Sequence, residues 1–280
     1  MRCEWDSFIC LLPQWMRNDV DKLGRNSLQE LRLRRDKPPE LITKQGSICL
    51  ERNVNPDDMR FCINTATKYS PWSDHTSRQG YVTAPGGHRI GICGQAVITD
   101  GKISGMNSMF SLCIRIARDF SGLVDASVPI KGSILIIGKP GSGKTTLLRD
   151  LIRYRSKHNS QSIAVVDEKM EIFPVSNGKL CFNTGPRTDV LSCGCKAEGI
   201  RCVLRNMGPG TIAVDEITAK EDCDGLLDAA WCGVDLIATA HSGDKNQLLS
   251  SKIYKPLLDT HLFDTLLVMK EDKSWYTERM

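Results

Sequence analysis

Residues Gly138-Lys-Pro-Gly-Ser-Gly143-Lys144-Thr145 satisfy the pattern G-x-x-x-x-G-K-[ST] at every position, and this stretch constrains the fold more tightly than any other. In a chain of 280 residues a chance match is on the order of one in a hundred. Context narrows it further, because the apolar run Ser133–Ile137 leads in and a helical stretch, Thr145–Tyr154, leads out. Such a loop needs glycine so that the backbone can wrap closely around phosphates with successive N–H groups pointing inward. The helix that follows adds its positive end. The expected ATP-binding set is therefore Gly138, Lys139, Pro140, Gly141, Ser142, Gly143, Lys144, Thr145 and Thr146. Lys144 is expected to reach the β- and γ-phosphates, and Thr145 to place its hydroxyl on Mg²⁺.

The rest of the second half agrees with that loop. After a composition change near Gly122–Gly132, short β-rich runs recur at Ile134–Ile137, Ile163–Asp167, Thr211–Asp215, Leu236–Thr239 and Leu266–Val268, separated by amphipathic helical stretches. That alternation predicts an α/β fold with a mostly parallel sheet covered on both faces. Ligands of such sheets sit at the carboxyl ends of the strands, and several of these runs end in polar or acidic groups. Thr211-Ile-Ala-Val-Asp215-Glu216 follows the loop by about 70 residues; Asp215 is the expected Mg²⁺-directing residue, and Glu216 is expected to polarise an attacking water. Val165-Val-Asp167-Glu168-Lys169-Met170-Glu171 offers Glu168 and Glu171 as further catalytic candidates, against the plainer reading of a solvated loop. Ala238-Thr239-Ala240-His241 offers His241, or Thr239, as a sensor of the terminal phosphate.

The first part of the chain reads differently. Leu31 and Leu33 alternate with charge, as in a half-buried strand. Asn55-Pro56-Asp57-Asp58 carries the signs of a helix start. Tyr81–Ala84 and His88–Ile98 flank Pro85-Gly86-Gly87 as a hairpin. Leu112, Ile114 and Ile116 alternate as a further strand, and Trp5, Phe8, Leu12 and Trp15 fall at roughly helical spacing. The expected organisation is a smaller α+β domain over residues 1–125 and a P-loop domain over 126–280.

Composition excludes several classes. The net charge of +4 comes from scattered Lys and Arg, so no nucleic-acid partner is expected. No window approaches the roughly 20 apolar residues of a membrane span, and Phe8–Leu12 is too short for a secretory signal; a cytoplasmic chain is expected. The 12 cysteines mostly stand singly in apolar runs and are expected to be free thiols, with Cys193-Gly-Cys195 the one tight pair.

Four motifs stand in order: Gly138–Thr145, Val166–Glu171, Ile212–Glu216 and Thr239–His241. This order resembles the Walker A, Asp-box, Walker B and His-box order of the type II and type IV secretion ATPases, as do Leu204–Glu216 and Ala229-Ala230-Trp-Cys-Gly233. A closer resemblance is to the stage III sporulation protein AA family. It is carried by Glu30-Leu-Arg-Leu-Arg34, Gly91-Ile-Cys-Gly94, Gly185-Pro-Arg-Thr-Asp-Val190, Lys196-Ala-Glu-Gly199 and Ala238–His241, and it runs from about Leu11 to about Met269. It implies a RecA-like ATPase that assembles with itself into a ring, a hexamer, on the mother-cell side of the sporulation septum membrane. There it would act with membrane proteins of a channel complex feeding the forespore. One position departs from the family pattern: after Ile217 the family has Gly-Arg, where this chain has Thr218-Ala219 and then Lys220. That leaves a second reading open, a nucleotide-gated scaffold that binds ATP to assemble and hydrolyses it negligibly.

Overall fold

The computed structural model describes residues 1–68, 80–176 and 178–280. The polypeptide divides into two compact units, Met1–Asp119 with Pro174–Cys181, and Phe120–Phe173 with Phe182–Met280. The division expected from sequence, 1–125 and 126–280, has no counterpart for the short return of Pro174–Cys181.

The first unit begins with helices α1 (Trp5–Cys10) and α2 (Gln14–Ser27), where the sequence spacing suggested one helix. Pro13 separates them, since its ring fixes φ and it brings no N–H. Phe8 of α1, Leu12 between the helices and Met16 of α2 are buried in the unit's own core. Strands β1 (Leu28–Arg34), β2 (Glu40–Thr43) and β3 (Gly46–Cys49) follow. Helix α3 (Pro56–Thr67) starts where its sequence signs placed it, and with a capping box: Asp58 N–H donates to Asn55 Oδ1 at 2.8 Å, and Asn55 N–H to Asp58 Oδ2 at 3.0 Å. Strands β4 (Tyr81–Thr83), β5 (Arg89–Thr99) and β6 (Lys102–Arg115) complete a six-stranded antiparallel sheet in the order β3-β2-β1-β6-β5-β4. The hairpin expected at Pro85–Gly87 is present as the β4–β5 pair. The longer hairpin is β5–β6, and β6 begins well before the Leu112–Ile116 alternation, because its outer half is only partly buried.

The second unit opens with β7 (Ile134–Gly138), α4 (Lys144–His158) and β8 (Ile163–Val166). The two-residue strands β9 (Val175–Ser176) and β10 (Lys179–Leu180) pair with each other in the segment grouped with the first unit. The second unit resumes with β11 (Thr188–Leu191), α5 (Lys196–Met207), β12 (Thr211–Val214), α6 (Lys220–Trp231) and β13 (Asp235–His241). Helices α7 (Lys245–Ser250) and α8 (Lys255–Asp259) lead to β14 (Thr265–Met269) and β15 (Trp275–Arg279). The sheet order is β11-β8-β12-β13-β7-β14-β15, parallel throughout except for the β14–β15 edge.

Its strands are apolar at almost every position because both faces are covered. Leu135, Ile137, Val166, Val214 and Ala238 face a core shared with α5 and α6, while Ile134, Ile136, Val165 and Ile237 face the core of α4. Helix α5 packs tightly on β8 at Gly199, where a Cβ would lie 2.6 Å from Val166 Cγ1 and also 2.4 Å from Cys193 Sγ. Gly199→Ala gains about 1 kcal/mol of helix propensity and loses about 1–3 kcal/mol to overpacking against a stiff β-branched side chain. Net destabilisation is expected, read as a lower urea midpoint for the second unit. A midpoint at or above wild type would contradict this packing.

Candidate active site

Strands β7, β12 and β13 end at one edge, and the side chains singled out by sequence gather there. The phosphate-type loop turns out of β7 at Gly138, which crowding requires to be small, since a Cβ would stand 2.7 Å from that of Met269. Gly141 and Gly143 adopt φ of +76° and +104°, a backbone region that L side chains rarely enter. Lys139 and Pro140 are exposed, Lys139 pairing with Glu271 at 2.6 Å, and Thr146 is half-buried on the first turn of α4. Ser142 is buried with its hydroxyl unpartnered.

Lys144 is 6% exposed and folds back over the loop. Its Nζ donates to the carbonyls of Gly138 at 2.8 Å and Lys139 at 3.1 Å and lies 3.0 Å from His241 Nδ1. Burial lowers the lysine pKa, against the opposing pull of Asp215 and Glu216. Its ammonium is held by dipoles rather than by a contacting carboxylate, an arrangement open to a stronger anionic partner.

Asp215 is the hub. Its Oδ2 accepts from Thr145 Oγ1 at 2.9 Å, and its Oδ1 accepts from Thr239 Oγ1 at 2.6 Å and from Glu216 N–H at 3.0 Å. Glu216 N–H also reaches Thr239 Oγ1 at 2.8 Å. Glu216 takes the left-handed conformation, φ +33°, which is uncommon for a non-glycine residue. Its carboxylate lies 2.8 Å from His241 Nε2. Because Lys144 only donates, Nδ1 of His241 accepts, and Nε2–H is left to donate to Glu216. His241 thus bridges the loop lysine and the strand-end acid.

The acids after β8 divide. Asp167, 1% exposed, accepts from the N–H groups of Glu171, Ile172 and Phe173 at 2.8–3.0 Å. It organises its own turn, and burial pushes its carboxyl up to about 6 despite those bonds. Glu168 and Glu171 line a cleft with Asp215, Glu216 and Thr218 of about 20 Å³, room for one water molecule. Glu168 sits 3.5 Å from Lys196. Sequence reasoning placed Lys196 only inside a family stretch. The structure makes it a buried member of this cleft, and the one available signal was a lysine opening an apolar helix. Arg187 and Arg205 are engaged inside the unit, with the Ser156 carbonyl and Glu198.

The donor set fits a Mg²⁺–nucleotide: a glycine turn leading into a helix start, an orphaned buried hydroxyl at Ser142, a lysine held by carbonyls, and a Thr–Asp pair beside them. Among the described residues, no group of three or more His, Cys, Asp or Glu side chains could hold a metal by itself.

Comparison with known proteins defines the class. The pilus retraction motor PilT with bound ADP matches 90% of this chain and 76% of its own at a TM-score of 0.64 and 18% identity. The Legionella pneumophila ATPase DotB matches 96% and 80% at 0.57 and 17%. The chain shares the fold of these two proteins. Stage III sporulation protein AA of Bacillus subtilis (strain 168) is 33% identical over 276 residues, 94% of this chain and 90% of the relative. The chain belongs to the family described as Sporulation stage III, protein AA, whose pattern matches residues 11–277.

Thr239, fully buried, both donates and accepts in this network. Thr239→Val should therefore cost about 1–3 kcal/mol through the groups it leaves unpaired, whereas Thr239→Ser keeps the hydroxyl. Urea unfolding of the two variants checks this; equal stability would show that the hydroxyl carries no weight.

Proposed function

We propose that this chain is a Mg²⁺-dependent ATPase that works as a homomeric ring, a hexamer, in the cytoplasm on the mother-cell face of the sporulation septum. There it would energise membrane proteins of a channel complex, with no nucleic-acid partner. The observation that carries the reading is the continuous chain of contacts Thr145–Asp215–Glu216–His241–Lys144 along the ends of three neighbouring strands. The fold of PilT and DotB and the membership of a sporulation family support it. No helix among the described residues is long and apolar enough to cross a membrane, which suits attachment through partners.

In this reading the loop amides and Lys144 hold the phosphates, and Ser142 gives its unpartnered hydroxyl to them. Thr145 and Asp215, already paired at 2.9 Å, would hold Mg²⁺, which would supply positive charge to offset the charge developing on the phosphates. Glu216 accepts the proton of the attacking water as its oxygen bonds to the terminal phosphorus and the bond to the ADP oxygen breaks. His241 orients Glu216 and reports through Lys144 on whether the loop is filled; Glu168 and Glu171 flank the water's cleft. The scaffold reading keeps one supporting observation. Where the family resemblance implies Gly-Arg, Thr218 and Ala219 spend their N–H groups on Asp222, at 2.9 and 3.2 Å, and offer no arginine.

Phosphate release by the full chain separates the two. Lys144→Ala should abolish nucleotide binding and turnover with the fold retained. Glu216→Gln should bind ATP normally and turn it over about 10²-fold or more slowly, trapping a nucleotide-dependent ring visible by light scattering. Wild-type behaviour of Lys144→Ala would remove the site assignment. ATP-dependent assembly without wild-type phosphate release would establish the scaffold instead.

A further inference from the structure

Lys196 opens α5 with its side chain only 4% exposed. Burying an ammonium is costly unless it is paired and hydrogen-bonded, and here it has two hydrogen bonds and a further ion pair. Nζ donates to the main-chain carbonyl of Glu216 at 2.6 Å, to Asp222 Oδ2 at 3.2 Å, and stands 3.5 Å from Glu168 Oε2. These partners come from three different segments: the end of β8, the end of β12 and the start of α6. The shortest contact falls on the residue held at φ +33°. A left-handed glutamate persists only where its surroundings over-determine it. The N–H side of Glu216 is fixed by Asp215 and Thr239, and its carbonyl side by Lys196. Asp222 completes the clamp by accepting from the N–H groups of Thr218 and Ala219, so the turn after Glu216 is tied to the same ammonium.

We propose that Lys196 is a positioning residue for hydrolysis: its ammonium holds the strained backbone of Glu216 so that the carboxylate faces the water cleft between Glu168 and Asp215. This rests on the ATPase reading above. Lys196 acts on the reaction through Glu216 and makes no contact with the phosphate loop among the bonds just described. Its loss therefore falls on kcat and spares nucleotide affinity, whereas loss of Lys144 removes both.

The test is steady-state phosphate release and fluorescent-nucleotide binding by the full chain. The variants are Lys196→Met, which keeps most of the stem, and Lys196→Met combined with Asp222→Asn. The double variant leaves no unpaired buried charge and keeps an amide oxygen to cap α6, so it remains folded if the single variant does not. Both are expected to bind nucleotide within about twofold of wild type. Their kcat should fall about 10²-fold, the scale of a misplaced catalytic group. A double variant that binds nucleotide and retains wild-type kcat would overturn the role of Lys196 and leave the ATPase reading intact. Equal losses of affinity and kcat in a folded double variant would also overturn it, by making the lysine part of the binding site. Absence of turnover in the wild type would overturn the ATPase reading itself and the lysine's role with it.

Discussion

The carboxylate of Asp215 holds the candidate site together. In the sheet, β13 lies between β12 and β7, so a contact from the end of β12 to the helix that leaves β7 must span two strand spacings, roughly 10 Å. Asp215 and Thr145 close that distance from opposite sides, and Thr239 on the intervening strand fills the gap with a hydroxyl bonded to the same carboxylate. Everything else at the edge hangs on this tie. The parallel strands are held in register by buried Val, Ile, Leu and Ala on both faces, which leaves their carboxyl ends as the place where polar groups converge.

Two buried lysines show how one residue type serves two ends. Lys196 is fully committed, with an ion pair, a second carboxylate and a carbonyl around its ammonium. Among the described residues Lys144 contacts two carbonyls and an imidazole nitrogen, and burial lowers its pKa. A buried cation without a contacting anion gains most from one that arrives. Lys196 is part of the frame, and Lys144 is suited to move onto a phosphate, releasing His241 as it goes.

Much of this was legible in the sequence, for identifiable reasons. The glycines of 138–143 and the strand-end acids Asp215 and Glu216 are local signals, readable because spacing alone places them at the ends of strands. The alternation of Leu31 and Leu33 and the Asn55–Asp58 cap were equally local. What escaped is non-local or lacks contrast. Strand β3 is exposed along its whole length and shows no alternation; β15 is a largely polar edge strand. The grouping of Pro174–Cys181 with the first unit depends on contacts across more than 50 residues of chain. Asp167 looked like one more strand-end acid, yet it is spent on three amides of its own turn. Lys196 entered the sequence reading only as part of a family stretch, because nothing near it in sequence reveals that Glu216 and Asp222 fold against it.

The central claim is that the ends of β7, β12 and β13 form one Mg²⁺–nucleoside-triphosphate site. A crystal structure of the chain with a non-hydrolysable ATP analogue and Mg²⁺ tests it most directly. The account predicts phosphates within the 138–145 loop, Mg²⁺ on Thr145 with Asp215 beside it, and Lys144 drawn off the Gly138 carbonyl and His241 onto the phosphates. Analogue bound elsewhere, or a filled loop with Lys144 still on Gly138 and His241, would contradict it.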